Sequence, residues 1–226
     1  MFTKIMKIVM GCTLLLSSFA QASFQLETMT VILDAGEPRK VFSVKNTGKE
    51  PILLSTKVSD IAGSTVQAQD IMVSPPITRI EPEQSQQINF VLKKGVNVTD
   101  ETLLKVSFQG VGAVQTNATK MPIRQDVAML IMPAGMSVTQ TPWNALEAKQ
   151  QGNTLVLTNT GKQVIRLTPN FVGLPDNQPY SLGQFYLRPG EVKKIEVKSP
   201  LKEIQISPLS RYGFKMKDDV NIKVAS

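Results

Sequence analysis

The clearest run of side chains able to do chemistry lies between Met121 and Met132, and its chemistry is recognition. In an extended chain Met121, Ile123, Gln125, Val127, Met129 and Ile131 share one face. Pro122, Arg124, Asp126, Ala128, Leu130 and Met132 share the other, because side chains alternate along a strand. The first row is the more apolar. A period of two says which residues share a face. It leaves open whether that face meets the strand's own domain or a partner. Pro122 has no backbone N–H, so ladder pairing starts after it, near Ile123.

Catalysis has little to work with. The 226 residues contain no histidine. That removes the commonest general base, the usual zinc ligand and most nucleophile–base arrangements. The one cysteine, Cys12, falls in an apolar N-terminal segment. Gly110-x-Gly112 has no following helix and no Lys-Ser/Thr partner for a phosphate. An acidic doublet, Asp218-Asp219, sits at a predicted turn. The expectation is a protein that is not an enzyme and uses no cofactor and no metal.

The elements that would position the recognition strand are read from the N-terminus on. Lys4 and Lys7, the apolar stretch from Ile8 to Leu16, and Ala20-Gln21-Ala22 before Ser23 have the layout of a cleavable signal peptide over residues 1–22. The apolar run is too short to span a bilayer, which takes roughly 20 residues. Removing Lys4 and Lys7 from 25 basic residues leaves 23 against 18 acidic. That excess is spread along the chain, with Lys93-Lys94 and Lys193-Lys194 among its few basic doublets, so no nucleic-acid stripe is expected. The remaining chain, about 200 residues, suits two domains of ordinary size.

Short runs rich in Val, Ile, Thr and Phe, bounded by Gly, Pro, Asn or Asp, recur throughout, which predicts an all-β protein. In the first half strands are expected at 26–33, 40–45, 52–58, 69–73, 86–92, 103–108 and 121–132, enough for one immunoglobulin-like sandwich. The stretch 109–119 reads as a loop. Pro133-Ala134-Gly135 marks a boundary, giving domains 23–133 and 134–226. In the second, strands are expected at 154–158, 164–172, 181–187, 193–198, 204–206 and 220–224. An internal echo links the halves: Asn46-Thr47-Gly48-Lys49 and Asn159-Thr160-Gly161-Lys162 each follow a strand.

Several stretches in order resemble the PapD-like periplasmic chaperones of pilus assembly. These are Ser74-Pro75-Pro76-Ile77-Thr78-Arg79-Ile80-Glu81-Pro82 with the following Gln84–Phe90 segment, Glu101–Phe108, the alternating run closing at Pro133, and in the second half Asn159-Thr160-Gly161 and Leu187-Arg188-Pro189-Gly190-Glu191. The resemblance implies two immunoglobulin-like β-sandwiches arranged as an L. It implies a periplasmic chaperone that captures pilus or fimbrial subunits by donating its seventh strand and delivers them to an outer-membrane usher. Main-chain hydrogen bonds then give affinity while alternate side chains fill pockets.

On that resemblance the more apolar row, Met121, Ile123, Val127, Met129 and Ile131, is assigned to the subunit groove. Each side chain so buried contributes about 1.5–3 kcal/mol. The same row serves equally as a core face. In the best-known branch an arginine and a lysine hold the subunit's C-terminal carboxylate, and here Thr30 and Ala128 stand at those positions. The alternative and archaic branch is closer, with basic residues where Lys105 and Arg124 stand, so these two are the expected carboxylate anchor. Lysine among Leu103, Leu104, Val106 and Phe108 suits a charge-assisted pair, and a solvated strand face suits it too. An exposed edge strand also invites self-capping in a homodimer. The competing readings are a secreted two-domain binding or scaffold protein without chaperone activity, a ligand-binding cleft, and a relative that has lost strand donation.

Overall fold

The computed structural model describes residues 24–112 and 121–225. The expected signal peptide, 1–22, lies outside the described residues, as do residues 113–120. The first half forms β1 (Phe24–Leu26), β2 (Thr30–Asp34), β3 (Arg39–Asn46), β4 (Ile52–Ser59), β5 (Ile71–Ser74), β6 (Ile77–Ile80), β7 (Ser85–Leu92), β8 (Thr102–Gly112) and β9 (Ile123–Met132). The second forms β10 (Leu146–Gln151), β11 (Thr154–Asn159), β12 (Ile165–Arg166), β13 (Asn170–Leu174), β14 (Gln178–Ser181), β15 (Tyr186–Leu187), β16 (Val192–Glu196), β17 (Glu203–Ile206) and β18 (Val220–Ala225). Among the described residues there is no α-helix.

Alternation of burial explains the first sandwich. Along β4, Ile52, Leu54, Thr56 and Val58 are buried while Leu53, Ser55 and Lys57 are exposed. One sheet runs β1-β3-β7-β5 and the other β2-β9-β8-β4-β6. Their inner rows meet in one core. Phe42 of β3 stacks on Phe108 of β8 with ring centroids 5.3 Å apart, and Phe90 of β7 meets both rings edge-on at 6.4 Å. Such ring pairs add to the free energy of area burial and fix the sheet spacing.

The second half builds a core of its own around Leu155, Leu157, Ile165, Leu167, Leu187, Ile204 and Ile206, with Trp143 at its edge. Its strands run β14-β13-β17-β18-β10-β11-β16, with β12-β15 as a separate pair. The short parallel pairing of Ala148 with Val224 and Lys149 with Ala225 joins the two parts of the longer sheet.

Several expected strands divide. The 26–33 segment is split between two sheets, and the reason is parity. Phe24 and Leu26 are buried, then Val31 and Leu33, a shift from even to odd that one straight strand cannot satisfy. The chain therefore crosses between sheets at Glu27–Met29. The expected 164–172 and 181–187 strands each break in the same way into a two-residue strand and a separate neighbour. Two strands were not expected at all, β6 and β10. The stretch 109–112, expected as loop, continues β8 instead, because Gln109–Gly112 pairs with Ser55–Ile52 of β4.

Candidate functional site

The strand that the sequence singles out is β9, and its two edges are unequal. On one side it pairs with β8 from Ile123 to Ile131. On the other, β2 covers it in parallel only from Ala128 to Met132. Among the described residues, Ile123–Val127 therefore have no strand on that side. One side-chain bond reaches across the gap, from Gln125 Nε2 to the Phe24 carbonyl at 3.1 Å. Unpaired N–H and C=O groups along an edge are a template for another strand.

Side-chain burial corrects three of the five groove assignments. Val127 is 4% exposed, and Met129 and Ile131 are 0% exposed. All three are in the sandwich's own core, so they are not free to fill a partner's pockets. At Met129 and Ile131 β9 lies between β2 and β8, and the inward face of a covered strand belongs to its own domain. Met121, by contrast, is 84% exposed, and Ile123 is half-buried at the margin of the core. The free apolar positions of the row are these two.

Lys105 and Arg124 are brought together on the outer face of the same sheet. Register places Lys105 beside Ala128, Ser107 beside Asp126, and Gln109 beside Arg124. Arg124 Nε donates to Asp126 Oδ1 at 2.8 Å and its Nη2 to Ser107 Oγ at 2.9 Å. Lys105 Nζ lies 3.8 Å from Asp126 Oδ2. Hydrogen bonding from Arg124, then from Ser107, holds the Asp126 carboxyl below the usual aspartate range. Both cations thus already face one carboxylate, Asp126, on the row opposite the apolar one. Lys57 of β4, opposite Ser107, adds a third positive group to this exposed face.

Thr30 and Ala128 are direct neighbours across the β2–β9 ladder. Thr30 is buried, and its Oγ1 accepts a 2.8 Å hydrogen bond from Arg166 Nη1 of the second half. Arg166, on β12, is thus the arginine that stands against Thr30. Sequence reading missed it, although an arginine flanked by the buried Ile165 and Leu167 was a signal.

Around Arg166 the two halves are joined by polar and apolar contacts. Arg166 Nη1 also donates to the Arg211 carbonyl at 2.8 Å. Arg211 Nη2 pairs with Glu101 Oε1 at 2.6 Å, and Glu101 Oε2 accepts the Val164 N–H at 2.8 Å. The Glu101 side chain is 1% exposed. Burial raises its pKa from the ordinary glutamate value despite the attraction of Arg211. Burial lowers that of Arg166, opposed by Glu101. Leu103, Leu130 and Val164 close the apolar part of the junction, with Ile32, Ile61, Ala128 and Tyr186 against them. Among the described residues no group of three or more Asp, Glu, Cys or His side chains is placed to hold a metal ion.

Known proteins share the fold of this chain. The profile of the pili and flagellar-assembly chaperones, PapD N-terminal domain, matches residues 23–137. An uncharacterised fimbrial chaperone of Escherichia coli K12, YhcA, is 27% identical over 192 residues, covering 84% of this chain and 85% of that protein. Among solved structures, the Salmonella enterica SafB chaperone in complex with the SafA pilin superposes with a TM-score of 0.72 at 23% identity, covering 91% of this chain and 98% of that one. The complex of CsuC with the tip subunit CsuE, from the archaic chaperone–usher Csu pili of Acinetobacter baumannii, gives a TM-score of 0.60 at 17% identity, covering 90% and 99%.

Proposed function

The chain belongs to the pilus-assembly chaperone family of the PapD type, and from that premise we propose that it captures fimbrial subunits in the periplasm by strand donation and passes them to an outer-membrane usher. The observation that carries this reading is the open edge of β9 at Ile123–Val127, preceded by the exposed Met121. A subunit with an incomplete sandwich would lay a strand along that edge. Main-chain pairing supplies affinity, and Met121 and Ile123 enter the subunit's groove. Residues 23–133 are the donating domain, 134–226 the second domain, and 1–22 the cleaved signal peptide.

In this reading Lys105 and Arg124 hold the subunit's C-terminal carboxylate on the outer face of the sheet. Their position, with Thr30 and Ala128 at the sites of the better-known anchor, favours the alternative or archaic branch. When no subunit is present, a second copy of the chain caps the open edge, so the free protein dimerises at high concentration.

The test is purification of the mature protein from its own host's periplasm, as wild type and as the double variant Met121→Asp, Ile123→Asp. A small β-rich polypeptide should accompany the wild type one-to-one and be absent or degraded with the variant, while the variant keeps its fold. A well-folded wild type that emerges alone under all conditions removes strand donation. It leaves a secreted binding or scaffold role.

A further inference from the structure

We propose that Met29 and Met121 form an oxidation site at the open edge of β9, where a peroxide turns their thioethers into sulfoxides and so switches capture off. This switch rests on the strand-donation reading and adds a control to it. Its test tells failure of the switch from failure of strand donation.

The open stretch Ile123–Val127 has a methionine near each end. Met121 stands two residues before Ile123 and is 84% exposed. Met29 is 47% exposed. It immediately precedes Thr30, whose ladder partner is Ala128, so it stands where the cover of β9 by β2 begins. The crossing between sheets is what leaves it outside. Glu27 N–H donates to the Ser43 carbonyl at 3.1 Å, and Ser43 N–H to Glu27 Oε2 at 2.8 Å. Thr28 Oγ1 donates to the Thr30 carbonyl at 2.7 Å. The crossing is thus held by polar contacts, while Phe24, Leu26 and Val31 on either side of it fill the core.

Access divides the methionines of this region into fast and slow. A thioether is oxidised where the oxidant reaches its sulfur. Met129 lies on the same row of β9 as Met121 but is 0% exposed. Its sulfur is reached only when the sandwich opens, at a free energy near that of global unfolding. Neither Met29 nor Met121 belongs to the core cluster, so the first sandwich keeps its fold when these two react.

The reaction changes what the edge offers a partner. The sulfur lone pair attacks one oxygen of hydrogen peroxide. The S–O bond forms as the O–O bond breaks, and after proton transfer the other oxygen leaves as water. Sulfur loses two electrons and the peroxide gains them. The sulfoxide oxygen is a strong acceptor with no proton to give. Water solvates it in the free protein. In the apolar groove of a subunit it finds no donor, and burying an unpaired polar group is unfavourable. A soft thioether that adapts to many pockets becomes a polar group that fits none of them. Sulfoxide reductases restore the thioether, which makes the change a switch.

The test uses the immobilised mature protein and the polypeptide that accompanies it from the periplasm, diluted from urea. The chaperone is treated with hydrogen peroxide, and the oxidant is removed before the polypeptide is added. Peptide mass mapping should find the added oxygen at Met29 and Met121 well before Met129. Retention should then fall severalfold while the urea midpoint of the chaperone stays unchanged. Met72, on β5, and Met216, between β17 and β18, are exposed as well and serve as internal controls. The double variant Met29→Leu, Met121→Leu keeps apolar volume and should retain the polypeptide after peroxide, although Met72 and Met216 oxidise. An equal loss in that variant overturns the proposal. So does full retention by wild type carrying sulfoxide at both positions. Should the leucine variant itself not capture, the oxidised wild type is treated with the two methionine sulfoxide reductases, one for each epimer. Retention must then return, and a loss that persists overturns the proposal. An untreated wild type that retains nothing is a different result, because it removes strand donation and the switch with it.

Discussion

The two halves of β9 differ in character and in circumstance: Ile123–Val127 carries Arg124, Gln125 and Asp126, while Ala128–Met132 is apolar throughout. From Ala128 to Ile131 the strand is paired on both sides, with β2 and with β8. From Ile123 to Val127 it is paired on one. The apolar row continues through both, yet its best-buried members, Met129 and Ile131, sit where pairing is complete. The more apolar half is therefore the covered one, and what marks the other is its unpaired backbone, because an edge retains hydrogen-bonding groups that only another strand satisfies in full.

The largest effect should come from charging the covered half. Met129→Asp places a carboxylate where no solvent reaches and no cation stands in the core cluster. An unpaired buried charge costs several kcal/mol, comparable to the whole stability of a small domain, about 5–15 kcal/mol. The first sandwich should fail to fold, seen as loss of its cooperative transition in urea. A folded Met129→Asp protein would mean that this row is not the core.

Next in size is a substitution where the covered half ends. Met132 Sδ lies 3.0 Å from Arg211 Nη2, the group that pairs with Glu101. Arg211→Gln leaves Glu101 buried without its cation, a loss of about 3 kcal/mol, the lower end of the range for breaking a buried pair. Burial already raises the Glu101 pKa, and without Arg211 it rises further. The folded state then takes up the proton more readily than the unfolded state, so stability increases as pH falls through that raised value. The deficit of the variant should be greatest at neutral pH and shrink in mildly acidic buffer, and capture through the open half should persist. A deficit independent of pH would show that Glu101 is not its cause.

The open half should answer differently. Ile123→Asp lies at the margin of the core, and with solvent at hand its cost is about 1 kcal/mol, near the centre of ordinary point mutations. Capture of a subunit should nonetheless be lost. Hydrogen exchange sharpens the contrast. In the wild type, amides of Ala128–Met132 should be protected throughout. Among Ile123–Val127 some should exchange freely until a subunit binds. Uniform protection of both halves in the free protein would mean the edge is already covered.

How much of this was legible beforehand depends on distance along the chain. The echo of Asn46-Thr47-Gly48 in Asn159-Thr160-Gly161 has a physical basis. Both asparagines are 0% exposed. The Asn46 amide donates to the carbonyls of Glu50 and Ile80, that of Asn159 to Gln163 and Leu187, and each Oδ1 accepts the N–H of the glycine two residues on. A local motif carrying a buried polar knot can be read from sequence because most of its partners are close by. The sheets were legible through alternation, but β10 was not, because only Leu146 and Ala148 of its six residues are buried. Which side of β9 faces inward was not legible either, since period two fixes a row and not its direction. The bond from Arg166 to Thr30 spans 136 positions, and nothing local announces it.

The smallest effect on stability belongs to Asp126, and it separates the two uses of the outer face. Its carboxyl is held below the usual range chiefly by hydrogen bonding from Arg124. Its contribution to stability is therefore present above the ordinary aspartate value and is lost as pH falls through the depressed one. The group is well exposed, with side-chain exposure of 41%, so screening keeps the contribution of such a pair at or below about 1 kcal/mol. Asp126→Asn should thus shift the urea midpoint little. If Lys105 and Arg124 anchor a subunit's carboxylate, Asp126 competes for the same two cations, and Asp126→Asn should strengthen capture severalfold. Lys105→Ala and Arg124→Ala should each weaken it, all read by subunit retention on the immobilised chaperone at two salt concentrations. Unchanged retention in all three variants would leave capture to the open edge alone and confine these cations to a solvated face.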